Sequence, residues 1–323
     1  MNTSISLIIV NWNSWDMLSH CLEKLQNQTF RDFKVLVIDN ASDQPPLLDL
    51  CVRYTNVTLV QNQANLGFAA ANNQAIKLLD ESDWVGLLNP DAFPDPDWLE
   101  QLINAVKNYP GYTMFASRQL MEGNSKLLDG DGDIYHISGL VWRKGHGQPV
   151  YEAALEPQEV FSPCAAAALY KREALLSVGG FDEDFFCYVE DVDLSFRLRL
   201  LGHRCLLVPD AVVHHVGSGT TGGRHSDFSV YHGHRNLVWT FVKNMPGALF
   251  WMLLPLQLLL NVVTIVVFMA RGQGGVILRA KKDAVKGLPQ AWAKRQQIQN
   301  SRKASVSEIW RVLDKRLFRS MRR

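Results

Sequence analysis

KVLVIDNAS, residues 34–42, runs through four apolar residues into an acid and an amide. An apolar run this short, closed by polar turn formers, predicts a strand buried on both faces that ends at Asp39. SLIIV (6–10), VTLV (57–60) and WVGLL (84–88) repeat the pattern, with helical stretches near 15–26, 47–54 and 68–79 between them. Asp95 followed by Pro96 predicts the cap and first residue of a further helix. Strands alternating with helices imply βαβ units and a mostly parallel sheet, an α/β fold. In such sheets ligands bind beyond the carboxyl ends of the strands. That rule selects Asn11, Asn13, Asp39, Asn40, Asn65, Asn89 and Asp91.

Farther along, the pattern changes. Residues 117–160, with DGDGDIYHISG (129–139) among them, have weak periodicity and predict an irregular, acceptor-side segment. Order returns over 161–216, with an apolar CAAAALY run, a helix at 172–178 and the run CLLVP. From Asn244 to Ala270 no residue is charged. That length suffices for a bilayer-crossing helix, which needs about 20 apolar residues. Pro255 and Asn261 interrupt it, and Gly272, Gly274 and Gly275 follow.

The formal net charge of +1 hides a division. Residues 271–323 hold 15 Lys and Arg against 3 Asp and Glu, which leaves −11 for the first 270 residues. An acidic body with a basic tail predicts contact with an anionic surface, here a membrane and not nucleic acid. The five cysteines form no CxxC pair, so neither a zinc ribbon nor a disulfide framework is expected, and a reducing cytosol fits. No basic segment precedes the short apolar run Ile5 to Val10, so no secretory signal is expected.

Several motifs carry chemistry beside a plainer reading. Asp91 in LLNPDAFPDPDW (87–98) suits a divalent cation held against a diphosphate, and it equally suits a Pro-rich turn. Asp39 at a strand end suits a ribose or base edge, or a turn. Gly67 in ANLGFAAANN (64–73) suits a close backbone approach to a ligand. GSGTTGG (217–223) has the spacing GxGxxG but no convincing following helix and no acid between Asp227 and Asp283 for a ribose, so a nicotinamide dehydrogenase is excluded; a loop closing over a phosphate remains open. His214, His215, His225, His232 and His234 match no structural zinc spacing, and one of them suits an Mg²⁺ or Mn²⁺ site. Arg235 in HGHRN suits a departing diphosphate, or a surface charge. In VEDVDLSFRLR (189–199), Asp193 pairs with Arg197 at i+4 on an amphipathic helix that carries Leu194, Leu198 and Leu201 on one stripe. Glu190 and Asp191 are left at the helix start, where a fixed carboxylate can take a proton from a bound hydroxyl.

The ordered blocks VNWN, VIDNAS, ANLGFAAANN, LLNPD, GGFDEDFFCYVEDVDLSFRLRLLGHRC, PDAVVHHVGSGT and HRNLVWTFVKN resemble bacterial family-2 glycosyltransferases, most closely the rhamnosyltransferase-like branch. The resemblance covers residues 5–245. It implies a GT-A fold and transfer with inversion from a nucleotide-sugar donor. It implies Asp91 as the cation ligand, although the usual DxD stands here as Asn89-Pro90-Asp91, and His215 near metal and diphosphate. It implies Asp191 as general base with Glu190 beside it, Asp39 at the nucleobase, and Asn11 and Asn13 in the donor loop. Asn40, Asn65, Asn89 and Arg235 complete the expected donor site. Mg²⁺ or Mn²⁺ is the expected cofactor. The branch favours dTDP-rhamnose as donor, with galactofuranose and other hexoses open, and a glycan or polyprenyl-linked acceptor in cell-surface polysaccharide assembly. A catalytically dead nucleotide-sugar-binding scaffold has only the degenerate NPD in its favour.

Nucleotide sugars are cytosolic and the basic tail favours the cytosolic face, so both ends of the apolar segment are expected there. The expected organisation is a GT-A domain over 1–240, an apolar membrane-associated segment over 241–275 and a basic helical tail over 276–323. The apolar segment is predicted as an in-plane or re-entrant hairpin, broken near Pro255 to Asn261, on the cytoplasmic face of the bacterial inner membrane.

Overall fold

The computed structural model describes residues 4–45, 50–79, 82–217 and 226–316. Its first part alternates β1 (Ile5–Asn11), α1 (Trp15–Gln26), β2 (Phe33–Asp39), α2 (Leu50–Arg53), β3 (Val57–Gln61), α3 (Phe68–Leu78) and β4 (Trp84–Leu88). These four strands are parallel in the order β3-β2-β1-β4, and the register sets Asn11 opposite Asp39. Their carboxyl ends therefore form one ledge.

The next elements are β5 (Ala92–Pro94) and α4 (Trp98–Asn108). The helix starts two residues later than the sequence suggests. Residues 92–94 are claimed by a strand pairing, and the Asp95 amide donates to the Val212 carbonyl. Asp97 then takes the capping position, with its carboxylate on Gln101 rather than on a backbone amide.

Residues 117–160 are not irregular. They contribute most of β6 (Met114–Met121), then β7 (Asn124–Gly130), β8 (Asp133–Tyr135), β9 (Val141–Arg143) and β10 (Gln158–Val160). After them come β11 (Ala167–Lys171), α5 (Arg172–Ser177), α6 (Glu190–Leu200) and β12 (Cys205–His215). Among the described residues, one mixed sheet runs β10-β12-β6-β11-β4-β1-β2-β3, with β5 on β12 and β7 on β6. Helices α1 and α4 cover one face through Leu18, Leu22, Leu99 and Leu102; α3, α5 and α6 cover the other through Ala71, Ile76, Leu175 and Leu194.

The α6 helix is not a surface helix with one apolar stripe. Every residue from Val192 to Leu200 is buried, because α7 (Asp227–Asn244) and the C-terminal helices close over it. Those helices are α8 (Gly247–Ala270), α9 (Gly274–Lys286), α10 (Leu288–Ser301) and α11 (Val306–Val312).

The expected break near Pro255 to Asn261 is absent. α8 runs unbroken for 24 residues, with Pro255 facing outward and Asn261 bonded to the Gln257 carbonyl one turn back. The reversal comes after Ala270. There Gly272 takes φ +81, and the Gln273 amide reaches the Phe268 carbonyl in a Schellman closure.

The basic segment after 276 is folded, not trailing. Arg295 donates to the Val242 and Met245 carbonyls, the Lys303 amide to Leu200, and His136 bridges to Asp314. One core cluster joins Tyr135, Phe161 and Phe196 with Phe241, Ala291 and Leu313, so the expected divisions at 240 and 275 do not part separate cores.

Candidate active site

The ledge at the strand ends is rich in amides that hold Asp39 and one another. Asn11 Nδ2 donates to Asp39 Oδ1 at 3.2 Å, and Ser42 Oγ donates to the same oxygen. Asn13, at φ +53, receives the Asp43 amide on its side chain and gives its own amide to Ser42. Asn40 donates to Asn65 at 2.8 Å and accepts from Asn62 and the Leu66 amide. Asp39 is thus fixed in direction, an acceptor at the mouth of a parallel sheet. Gly67 has a different partner from the expected ligand. A Cβ there would lie 2.5 Å from the Phe186 ring, so the glycine admits Phe186.

A second corner forms at the end of β4. The register His215↔Ala92 brings β12 beside the NPD turn, and the Val216 amide bonds to the Asp91 carbonyl. Asn89, half-buried, holds the turn through its own backbone, its amide on Ala166 and its carbonyl receiving Ala92. His215 Nε2 stands 3.5 Å from Asp91 Oδ1, while Nδ1 lies 2.7 Å from Asp129 Oδ2. Arg143 pairs with that same Asp129. Burial pushes the His215 imidazole down, but Asp129 and Asp91 more than offset it. Burial pushes Asp91 up, and the neighbouring His215 carries it below its ordinary value.

A third corner holds the carboxylates of α6. Asp191 accepts from the Ala165 amide at 3.0 Å and from Val192 at 2.8 Å. Burial lifts its carboxyl above the ordinary value, with those amides and Arg143 opposing. Glu190 is buried, and its Oε2 has no hydrogen-bond partner among the described residues. Burial, then the charge of Asp191, lifts Glu190 well above the usual range. Asp133, fully buried and registered opposite Arg143, is pushed up to about 8 by burial and by Asp191. Arg143 pairs with Asp129 and lies 3.3 Å from His215 Nδ1, and its charge opposes the rise of the Asp191 carboxyl.

Not every expected residue joins this set. Arg235 donates to the Asp184 and Phe185 carbonyls and lies over Trp239 at 4.4 Å, so its contacts within the protein are to the 184–188 loop. Asp193 pairs with Arg197 as expected, but fully buried and also bonded to Lys243 and Asn244. His214 pairs with Asp95. The residues of the GSGTTGG motif from Ser218 on, and His225, lie outside the described residues. Three members went unpredicted: Asp129, Asp133 and Arg143, all from the segment whose periodicity is weak.

A cation site on these residues passes one test and meets one limit. Among the described residues, no group of three or more His, Cys, Asp and Glu could hold a metal ion. His215 Nε2, however, is buried without a hydrogen-bond partner among the described residues and stands beside a carboxylate. One carboxylate and one imidazole suit a divalent ion that takes its remaining ligands from diphosphate and water. Asp129 on Nδ1 is the partner that fixes the tautomer of a metal-binding histidine.

A family model described as glycosyl transferase family 2 matches residues 6–179. N-acetylglucosaminyl-diphospho-decaprenol L-rhamnosyltransferase of Mycobacterium tuberculosis is 30% identical over 259 residues, covering 72% of this chain and 82% of its own. Rhamnosyltransferase WbbL of Escherichia coli K12 is 28% identical over 224 residues, with 64% and 80% covered. The structure of mannosyltransferase PcManGT from Pyrobaculum calidifontis, with GDP-Man and Mn²⁺, aligns at TM-score 0.54 and 17% identity over 95% of this chain and 87% of that one. GalNAc-T7 with UDP, GalNAc and Mn²⁺ aligns at TM-score 0.56 and 17% identity over 66% of this chain, which spans 43% of that longer one.

Proposed function

The chain belongs to glycosyl transferase family 2, and on that premise we propose that it moves L-rhamnose, with inversion, from dTDP-rhamnose to a polyprenyl-diphosphate-linked sugar at a membrane surface. The transferase activity and the GT-A fold follow from the family. The geometry that supports the rest is the pair of buried carboxylate corners, Asp91 beside His215 and Asp191 held by the Ala165 and Val192 amides. The donor and acceptor follow the relative named for that reaction.

In this reading, Asp39 and the Asn11–Asn13 turn orient the nucleotide. Asp191 takes the acceptor hydroxyl proton as that oxygen bonds to the anomeric carbon, and the bond from that carbon to the diphosphate oxygen breaks, releasing the nucleoside diphosphate. Asp91 and His215 would hold a divalent cation, Mg²⁺ or Mn²⁺, which when bound offsets charge on the leaving diphosphate. Arg143 supplies a fixed positive charge to the same corner. Asp129 holds His215 with Nε2 turned to Asp91. Asp129→Asn is expected to weaken Mn²⁺ affinity roughly 10–100-fold, read by spin-resonance titration with dTDP present. Unchanged affinity removes Asp129 from this role.

The membrane reading rests on α8. One face, with Leu249, Phe250, Leu253 and Phe268, is packed on the protein along the helix length. The opposite face leaves Trp251, Leu258, Val262 and Val266 about 60% exposed, and α9 adds Leu278 with the exposed Arg279, Lys282 and Lys286. A helix held along its whole length to a folded body lies in the interface plane, with basic neighbours on anionic headgroups. The test is transfer to N-acetylglucosaminyl-diphospho-polyprenol in phosphatidylglycerol vesicles with Mn²⁺ or Mg²⁺. Turnover with dTDP-rhamnose is expected, together with co-sedimentation that Leu258→Glu/Val262→Glu abolishes. Turnover with UDP-galactofuranose alone overturns the donor. A double variant that still co-sediments overturns the docking face.

A further inference from the structure

Immediately before Glu190, the backbone enters the left-handed region three times. Phe186 has φ +62, Tyr188 +65 and Val189 +69, and none of them is glycine. For a β-branched residue such as Val189 this is a rare and costly conformation. Something must hold it, and the holder is on α7. Asn236, fully buried, places Nδ2 within 3.0 Å of three carbonyl oxygens, those of Phe185, Cys187 and Tyr188. Arg235 fixes which way that amide faces, since its Nε donates to Asn236 Oδ1 at 2.9 Å, while its Nη2 reaches the Asp184 and Phe185 carbonyls.

The held segment joins the two halves of the site. At its start, Phe186 fills the space over Gly67, and its carbonyl accepts the Ala69 amide at 3.1 Å, beside the Asn40–Asn65 turn. At its end, Val189 opens the helix that presents Glu190 and Asp191, its carbonyl taking the Asp193 amide.

We propose that Asn236, oriented by Arg235, is a positioning residue for the base: it clamps residues 185–188 in a conformation they would otherwise leave, and so sets Asp191 against the donor turn. The assignment of Asp191 rests on the transferase reading above; the clamp itself is measurable without turnover, through the half-buried thiol of Cys187 inside the segment.

The experiment measures Cys187 labelling by an alkylating reagent, quantified by peptide mass, beside kcat and donor KM with dTDP-rhamnose. In Asn236→Ala, labelling is expected to quicken and kcat to fall, each about tenfold or more, with KM changed less than about threefold. Adding Val189→Gly, which takes positive φ without help, is expected to slow the labelling again and return much of the lost kcat. Should Asn236→Ala not fold, Asn236→Ser, which keeps one donor, is read the same way. Labelling within twofold of wild type, or no recovery in the double variant, overturns the clamp. Wild-type enzyme without turnover on dTDP-rhamnose instead overturns the donor, and the labelling result still decides the clamp.

Discussion

Asp191→Asn is expected to lower transfer about 10²–10⁴-fold, the usual worth of a positioned general base, while the protein still folds. The substitution keeps the shape; the Ala165 and Val192 amides bind different carboxylate oxygens, so the asparagine oxygen keeps one of them. It removes the ability to take a proton at the cost of one amide contact. The wild-type pH profile gives an independent check. The base works as the carboxylate, and burial lifts the Asp191 carboxyl above its ordinary value while the two amides and Arg143 hold it back. Activity should therefore be present at neutral pH and fall on acidification, at a pH above that of an exposed aspartate. Arg143→Met should move that fall to still higher pH, because it removes a charge that favours the carboxylate. A folded Asp191→Asn enzyme with near wild-type turnover, or a flat acid limb, removes Asp191 from the role.

What the sequence makes legible depends on how locally a residue's partners are encoded. The strands ending at Asn11, Asp39 and Leu88 are readable because both faces are buried, so the run itself is apolar; edge strand β3 keeps an apolar run although Thr58 and Gln61 are exposed. β6 lies in the same sheet yet reads MFASRQLM. Its buried Ser117 and Arg118 are satisfied by Trp98 and Asp131, partners at distances no window reveals. The same cause hides half of the site. Asp91 and Asp39 stand at strand ends, where a rule applies, and Asp191 is singled out by the family blocks. Asp129 reaches the site from β7, and Asp133 and Arg143 from the antiparallel β8–β9 ribbon, all in a glycine-rich segment whose only local mark is acids at alternate positions. Arg235 shows the converse: the residue type suits a phosphate, and the fold gives it backbone carbonyls. The basic tail misleads similarly, since Lys294 and Arg295 face inward to acids and carbonyls of the body.

That inward turn of the tail leads to the largest stability effect expected in the molecule. Lys243 is 2% exposed, ion-paired to Asp182 and to Asp193, with its ammonium 4.5 Å from the centre of the Phe185 ring. Lys294 on α10 pairs with the same Asp182, and Arg197 with the same Asp193. The cluster thus ties α10, α7 and α6 to the loop ahead of the base. Lys243→Met keeps the stem and removes the charge, leaving two buried carboxylates with one cation each. Breaking a buried pair from one side costs roughly 3–5 kcal/mol, which for a chain of this size is a Tm loss on the order of 10 °C. Asp193→Asn alone should be destabilising too. The double variant should lose less than the sum, because neither partner is left charged and alone. The pH dependence has a definite sign. Burial raises the Asp182 carboxyl, yet Lys243 and Lys294 carry it well below its ordinary value. Its contribution is then complete above the range where an unfolded aspartate titrates, and is lost as pH falls through the depressed folded value. Lys243→Met should flatten this acid limb in thermal melts. A melt unchanged from wild type in both Tm and acid limb would show that the cluster holds nothing in place.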